Sequence, residues 1–107
     1  MAVVLIQEPP DTITAEMYDA VNERMGAESD PPDGQIFHCA GADESGKWRI
    51  IDVWESREEY DRFRSERLGP AIEATAREFG IEMGEGPKIT AYEAHHVVAP
   101  APVHTHA

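Results

Sequence analysis

His38 and Asp52 carry the chemistry that this sequence offers most plainly. Asp52 lies in the segment KWRIIDVWES, residues 47–56, whose β-branched and aromatic residues read as a strand stopped by Ser56. Alternate residues of a strand share a face. Trp48, Ile50, Asp52 and Trp54 therefore stand on one side, and Arg49, Ile51 and Val53 on the other. A carboxylate between two tryptophans calls for a polar partner, and the preceding strand offers His38. An imidazole bonded to a carboxylate gains basicity and a fixed tautomer. Such a dyad takes a proton from an activated phenol or from an acid α to a carbonyl, and the two indoles would wall an apolar cleft around it. The same residues also read structurally. His38 and Asp52 would then satisfy each other in a buried layer, with the tryptophans in the core or an interface and their N–H groups bonded nearby. The residues alone leave both readings open.

Other chemistries are poorly served. His95 and His96 are adjacent, so a regular strand would point them to opposite faces, and His104 and His106 lie in a Pro- and Ala-rich tail. No Cys/His or His/carboxylate spacing resembles a zinc site, so no metal is expected. GIEMGEGP lacks the spacing and the lysine of a phosphate loop, and there is no serine elbow. The single cysteine, Cys39, forms no internal disulfide, falls within a strand, and fits a reducing cytoplasm as a buried, inert thiol. Nine Lys and Arg against 21 Asp and Glu give a formal charge of −12. That balance argues against nucleic acid and against anionic membrane surfaces. The apolar run in MAVVLIQEPP is too short for a signal peptide or a membrane span and reads as a strand.

The elements that must position the dyad follow from patterning. Ala2 to Gln7 is the first strand, ended by EPPD. Thr14 is an N-cap, with Ile13 and Tyr18 spaced as a hydrophobic staple. Met17, Val21 and Met25 form the stripe of an amphipathic helix that Gly26 closes. Gln35 to Ala42 is the second strand. The loop Glu44-Ser45-Gly46 puts glycine at a left-handed position and pairs Asp43 with Lys47. Counting back pairs Ala42 with Trp48, Ala40 with Ile50, His38 with Asp52 and Ile36 with Trp54. Ser56 and Glu59 form a capping box for a helix that buries Tyr60, Phe63 and Leu68, with Glu58–Arg62 and Arg62–Glu66 pairs on its wet side. Gly69-Pro70 interrupts that helix, and a second piece carries Ile72, Ala76 and Phe79 to Gly80. Lys88 to Val98 is the last strand. The order β-α-β-β-α-β predicts an α+β, ferredoxin-like domain over residues 1–98: a four-stranded antiparallel sheet with helices on one face, followed by a flexible tail, 99–107. The other sheet face is apolar and would be covered by a second copy of the chain.

IIDVWESREEYDRF followed by ERLGPAI resembles the strand-to-helix signature of the dimeric α+β-barrel superfamily, in its antibiotic biosynthesis monooxygenase-like branch. The chain is also similar to small actinobacterial proteins with an IFH…W…DVWES core. The resemblance implies a homodimeric barrel with a pocket between each sheet and its helices. The superfamily it implies includes haem-degrading enzymes, isomerases, decarboxylases and proteins with no known reaction, and the leading expectation among them is a cofactor-independent monooxygenase type of activity on a hydrophobic, aromatic or polyketide-like ligand. Haem-degrading members place a pocket tryptophan and an iron-ligating histidine where this chain has Phe63 and Glu73, so haem is not expected. A polar residue late in the first strand is a pocket feature of that branch, and Gln7 matches it. The resulting expectation is His38 as base and Asp52 as its orienter, with Gln7, Tyr18, Trp48, Trp54, Phe63 and Glu73 lining the ligand site. The alternatives are a non-catalytic binding dimer, a carrier or sensor, and a dimer that serves only interaction. An enzyme of this type would enclose the dyad in a cavity.

Overall fold

The computed structural model describes residues 1–82, 84 and 86–98. The expected tail, 99–107, lies outside the described residues. Strand β1 is Val3–Glu8, helix α1 Ala15–Met25, β2 Gln35–Ala42 and β3 Trp48–Trp54. Helices α2, Arg57–Phe63, and α3, Gly69–Phe79, precede β4, Lys88–Glu93. The four strands form one antiparallel sheet in the order β2-β3-β1-β4, the ferredoxin-like arrangement. Among the described residues, no helix is long and apolar enough to cross a membrane.

Local chemistry sets the elements. Thr14 Oγ1 accepts from Met17 N at 3.2 Å and starts α1. Gly26, at φ 64°, closes it in the left-handed conformation that glycine adopts freely. Ser56 Oγ accepts from Glu59 N at 3.2 Å and donates to the Glu59 carboxylate at 3.0 Å, starting α2. The β2–β3 turn takes the expected form. Gly46 sits at φ 86°, and Asp43 N donates to Lys47 O at 2.8 Å. The Asp43 carboxylate gathers Ser45 and Lys47. Those bonds hold the exposed Asp43 carboxyl below its ordinary pKa, the Ser45 hydroxyl being the largest cause.

That turn fixes the register: Ala42 opposite Trp48, Ala40 opposite Ile50, and His38 opposite Asp52. The expected pairing of Ile36 with Trp54 does not occur. A bulge between Gln35 and Phe37 inserts an extra residue, so Gln35 faces Trp54 and Phe37 faces Val53. The bulge lies where the edge strand leaves the sheet. There Glu55 N donates to Gly34 O at 2.8 Å, and a Cβ on Gly34 would run into the Glu59 carboxylate.

The expected helix break at Gly69-Pro70 is instead a π-turn, Arg64–Leu68, joining α2 to α3 without interruption. Pro70 has no N–H to donate and its ring crowds the preceding turn. The chain widens by one residue, and Gly69 N donates to Arg64 O. The ion pair on the wet side of α2 is Arg57–Asp61, at 3.1 Å, in place of the expected pairs through Arg62. The last strand stops at Glu93, short of Val98, so strand alternation does not govern His95 and His96.

The core lies between sheet and helices: Val3, Leu5, Trp54, Tyr60 and Phe63, with Met25, Leu68 and Ile89 packed against it. The opposite sheet face has no cover from the described residues. Phe37 is 51% exposed, Ile51 37% and Tyr92 52%; Cys39, opposite Ile51, is exposed and not buried as expected, because strand alternation places it on this uncovered face.

Candidate active site

The site grows from the alternation of β1 and β3. Leu5 pairs with Asp52, and Gln7, two residues along, lies on the same helix-facing side. Asp52 and Gln7 are both only 4% exposed, beside the buried apolar side chains of Leu5 and Trp54. A buried carboxylate is costly unless it meets donors, and Asp52 meets three. His38 Nδ1 donates to Oδ1 at 2.5 Å, while Gln7 Nε2 and Trp54 Nε1 donate to Oδ2 at 3.2 and 3.3 Å.

The network continues in both directions. Gln7 Oε1 accepts from the Tyr60 hydroxyl at 3.2 Å, and that hydroxyl accepts from Arg64 at 3.2 Å. A guanidinium only donates, so the chain has one polarity: Arg64 to Tyr60, Tyr60 to Gln7, Gln7 to Asp52. The carboxylate in turn accepts from His38 Nδ1–H. This leaves the lone pair on Nε2, where the Tyr18 hydroxyl donates at 2.6 Å. Among the described residues, no buried side-chain nitrogen or oxygen lacks a partner.

The aromatic residues divide into two groups. Trp54 is fully buried and packs against Tyr60 and Phe63, with ring centroids 5.7 and 5.3 Å away. Trp54 and Phe63 thus support Asp52 from the core side. Trp48 is half-buried and stacks on Tyr18, 5.3 Å between centroids and 26° between planes. Trp48 also borders an open cleft of about 270 Å³, lined otherwise by Asp11, Ile13, Ser45, Gly46 and Lys47. That lining contains neither His38 nor Asp52. The expected enclosure of the dyad is therefore absent from this cleft, and Nε2 of the imidazole meets the Tyr18 hydroxyl instead.

Glu73 stands apart from the site. It is exposed on α3, which turns Ala71, Thr75 and Ala76 inward, and two residues' displacement from Ala71 or Thr75 carries it to the far side of the helix. In sequence, Tyr60 reads as a core residue without a polar role, and Arg64 reads as having none. Their i, i+4 spacing is the signal that could have joined them. Among the described residues, no group of three or more His, Cys, Asp or Glu is placed to hold a metal ion.

A scan against protein-family models and a search of curated proteins found no match. Solved structures share the fold at low identity. A Deinococcus radiodurans protein provisionally named an antibiotic biosynthesis monooxygenase is 19% identical, at a TM-score of 0.57, with 92% of this chain and 96% of that one covered. A Nitrosomonas europaea protein of unknown function is 15% identical, at a TM-score of 0.63, with 94% of each chain covered. A dimeric ferredoxin-like protein of unknown function from Thermobifida fusca is 11% identical, at a TM-score of 0.56, with 88% and 92% covered. The fold is the ferredoxin-like α+β fold that these proteins share.

Burial raises the Tyr18 pKa above the ordinary value, with the Asp52 charge next. Burial also raises that of Tyr60, although the Arg64 hydrogen bond and charge pull against it. The fold therefore favours both neutral phenols. Below the unfolded tyrosine pKa of about 10, both states keep these protons and stability does not depend on them. As pH rises past that value the unfolded chain ionises first, and stability falls. Difference titrations of tyrosinate absorbance, wild type against Tyr18→Phe and against Tyr60→Phe, should place each lost component above pH ~10, with melting temperature declining over the same range. A component that titrates lower would contradict the burial of that phenol.

Proposed function

We propose that this protein is a small-molecule enzyme of the cofactor-independent monooxygenase type, acting on a hydrophobic, aromatic or polyketide-like substrate. The observation that carries this reading is the 2.5 Å contact of His38 Nδ1 with an Asp52 carboxylate whose other oxygen is held by Gln7 and Trp54. Asp52 orients the imidazole and stabilises the imidazolium, and Nε2 takes the proton of a substrate hydroxyl. The electron-rich anion left behind is the species that meets dioxygen. The substrate supplies the electrons: one oxygen atom enters the ring as a quinone carbonyl and the other leaves as water. Haem has no part in this reading, since the position matching the iron ligand carries Glu73, exposed on α3. The names given to neighbours of this fold agree with an oxygenase, at identities that carry the fold alone.

A specific observation favours a second reading, a binding dimer without a reaction. The cleft beside Trp48 does not include the dyad, and Tyr18 already satisfies Nε2. The two readings separate experimentally. With a naphthol as probe, fluorescence quenching reports binding and oxygen uptake reports turnover. For the enzyme, His38→Ala should lower oxygen uptake by about 10²–10⁴-fold, the usual worth of a general base, and weaken binding far less. Asp52→Asn should fall between. Binding without oxygen uptake in the wild type would support the carrier, and uptake unchanged in His38→Ala would contradict the base.

The chain also works as a homodimer in this proposal. Phe37, Cys39, Ile51, Val53 and Tyr92 alternate onto the open face of the sheet, which a second copy would cover. A specific interface of that kind buries at least ~1,200 Å² in total. Sedimentation should give a dimer at micromolar concentration, and the double variant Phe37→Glu/Ile51→Lys should give a folded monomer. A monomeric wild type would contradict the pairing.

A further inference from the structure

Both nitrogens of His38 are engaged: Nδ1 donates to Asp52 at 2.5 Å, and Nε2 accepts from the Tyr18 hydroxyl at 2.6 Å. The imidazole is nevertheless not sealed off, since its side chain is 32% exposed. Its lone pair is withheld by one hydroxyl rather than by walls.

The phenol is held in place. Its ring stacks on Trp48 at 5.3 Å, and lies within 5° of parallel to the His38 ring at a centroid distance of 6.3 Å. Burial and the Asp52 charge keep it neutral, hence a donor toward Nε2. Trp48, the surface on which it rests, also lines the cleft beside the β2–β3 turn. Withdrawal of Tyr18 would leave that indole and the Nε2 lone pair facing the same space.

The helix that carries Tyr18 is anchored unevenly. Its C-terminal end is tied to α3 and the π-turn: Arg24 donates to Thr75 Oγ1 at 2.9 Å and pairs with Glu78, and Arg67 donates to Met25 O at 2.7 Å. No residue of α1 is fully buried. Among the described residues, the only side-chain hydrogen bond from α1 to the sheet is the one from Tyr18 to His38. The N-terminal half of α1 is thus fastened to the sheet by the same contact that covers the base.

We infer that Tyr18 is a gate on His38: its phenol holds the Nε2 lone pair closed at rest, and a ligand gains the base by displacing the phenol from Nε2 and from Trp48. The gate regulates the site proposed above and rests on the reading of His38 as the base. It accounts for a complete dyad beside a cleft that stops short of it. A ligand would offer what Tyr18 offers, a flat ring on the indole and a hydroxyl toward the imidazole.

The test uses diethyl pyrocarbonate, which acylates an imidazole nitrogen through its free lone pair, with modification of each histidine followed by peptide mass. His95 and His96, both exposed, serve as internal references. One hydrogen bond of ordinary strength should slow His38 by about tenfold relative to them, despite its exposure. Tyr18→Phe keeps the ring on Trp48 and removes only the hydroxyl. It should speed His38 by about tenfold and leave His95 and His96 unchanged. Asp52 is present in both proteins, so the variant isolates the hydroxyl. Trp48→Leu, which removes the resting surface and keeps the hydroxyl, should speed His38 by about threefold, and it decides the matter if Tyr18→Phe does not fold. A wild-type His38 as fast as the references would overturn the gate, as would a slow His38 that neither variant speeds. No ligand enters this readout, so the gate fails here alone and the base fails in oxygen uptake alone.

Discussion

The Asp52 carboxylate, buried at the centre of the sheet's helix-facing side, is the constraint on which the rest of the site depends. An ionic group there is tolerable only with donors on every side. His38 supplies one from the edge strand, Trp54 one from the same strand and Gln7 one from the central strand. Each donor is then fixed by a further group. Trp54 is locked between Tyr60 and Phe63, and Gln7 is oriented by Tyr60, which Arg64 in turn orients. Arg64 opens the π-turn that Pro70 imposes, so an irregular stretch of helix far along the chain stands at the head of the polarity that reaches His38.

The sheet keeps two tasks apart by alternation. Residues on one side, Gln7, His38, Asp52 and Trp54, build the polar layer against the helices. Their neighbours on the other, Ile6, Phe37, Ile51 and Val53, build the open apolar face. A slip of one residue would exchange the two sets. The register rests on the β2–β3 turn, where Gly46 and Asp43 take up the positions that a three-residue loop requires. A single turn thereby decides that His38 meets Asp52.

Much of this is legible in sequence, because it depends on local rules. The caps at Thr14 and Ser56, the turn at Gly46 and the His38–Asp52 pairing each follow from a few adjacent residues. The departures arise where tertiary geometry overrides a local rule. Ile36 leaves the expected register because the edge strand bulges beside Gly34, whose backbone lies against Glu59, a residue remote in sequence. Pro70 signals a break, but the helix runs on through a wider turn in which Gly69 N donates to Arg64 O. Glu73 enters as a pocket residue through resemblance alone, and the orientation of α3 carries it outward. The hydrogen bond from Tyr18 to His38 is not readable from spacing, since it depends on how α1 lies across the sheet. The same is true of the cleft that ends at Trp48.

Asp52 and the donor chain behind it should hold His38 in one tautomer, with the proton on Nδ1 and the lone pair on Nε2. Long-range proton–nitrogen NMR of the imidazole measures this directly at a pH where the ring is neutral. The expected result is a protonated, pyrrole-type Nδ1 and a pyridine-type Nε2 for His38. A protonated Nε2, or two nitrogens averaged by tautomer exchange, would contradict it.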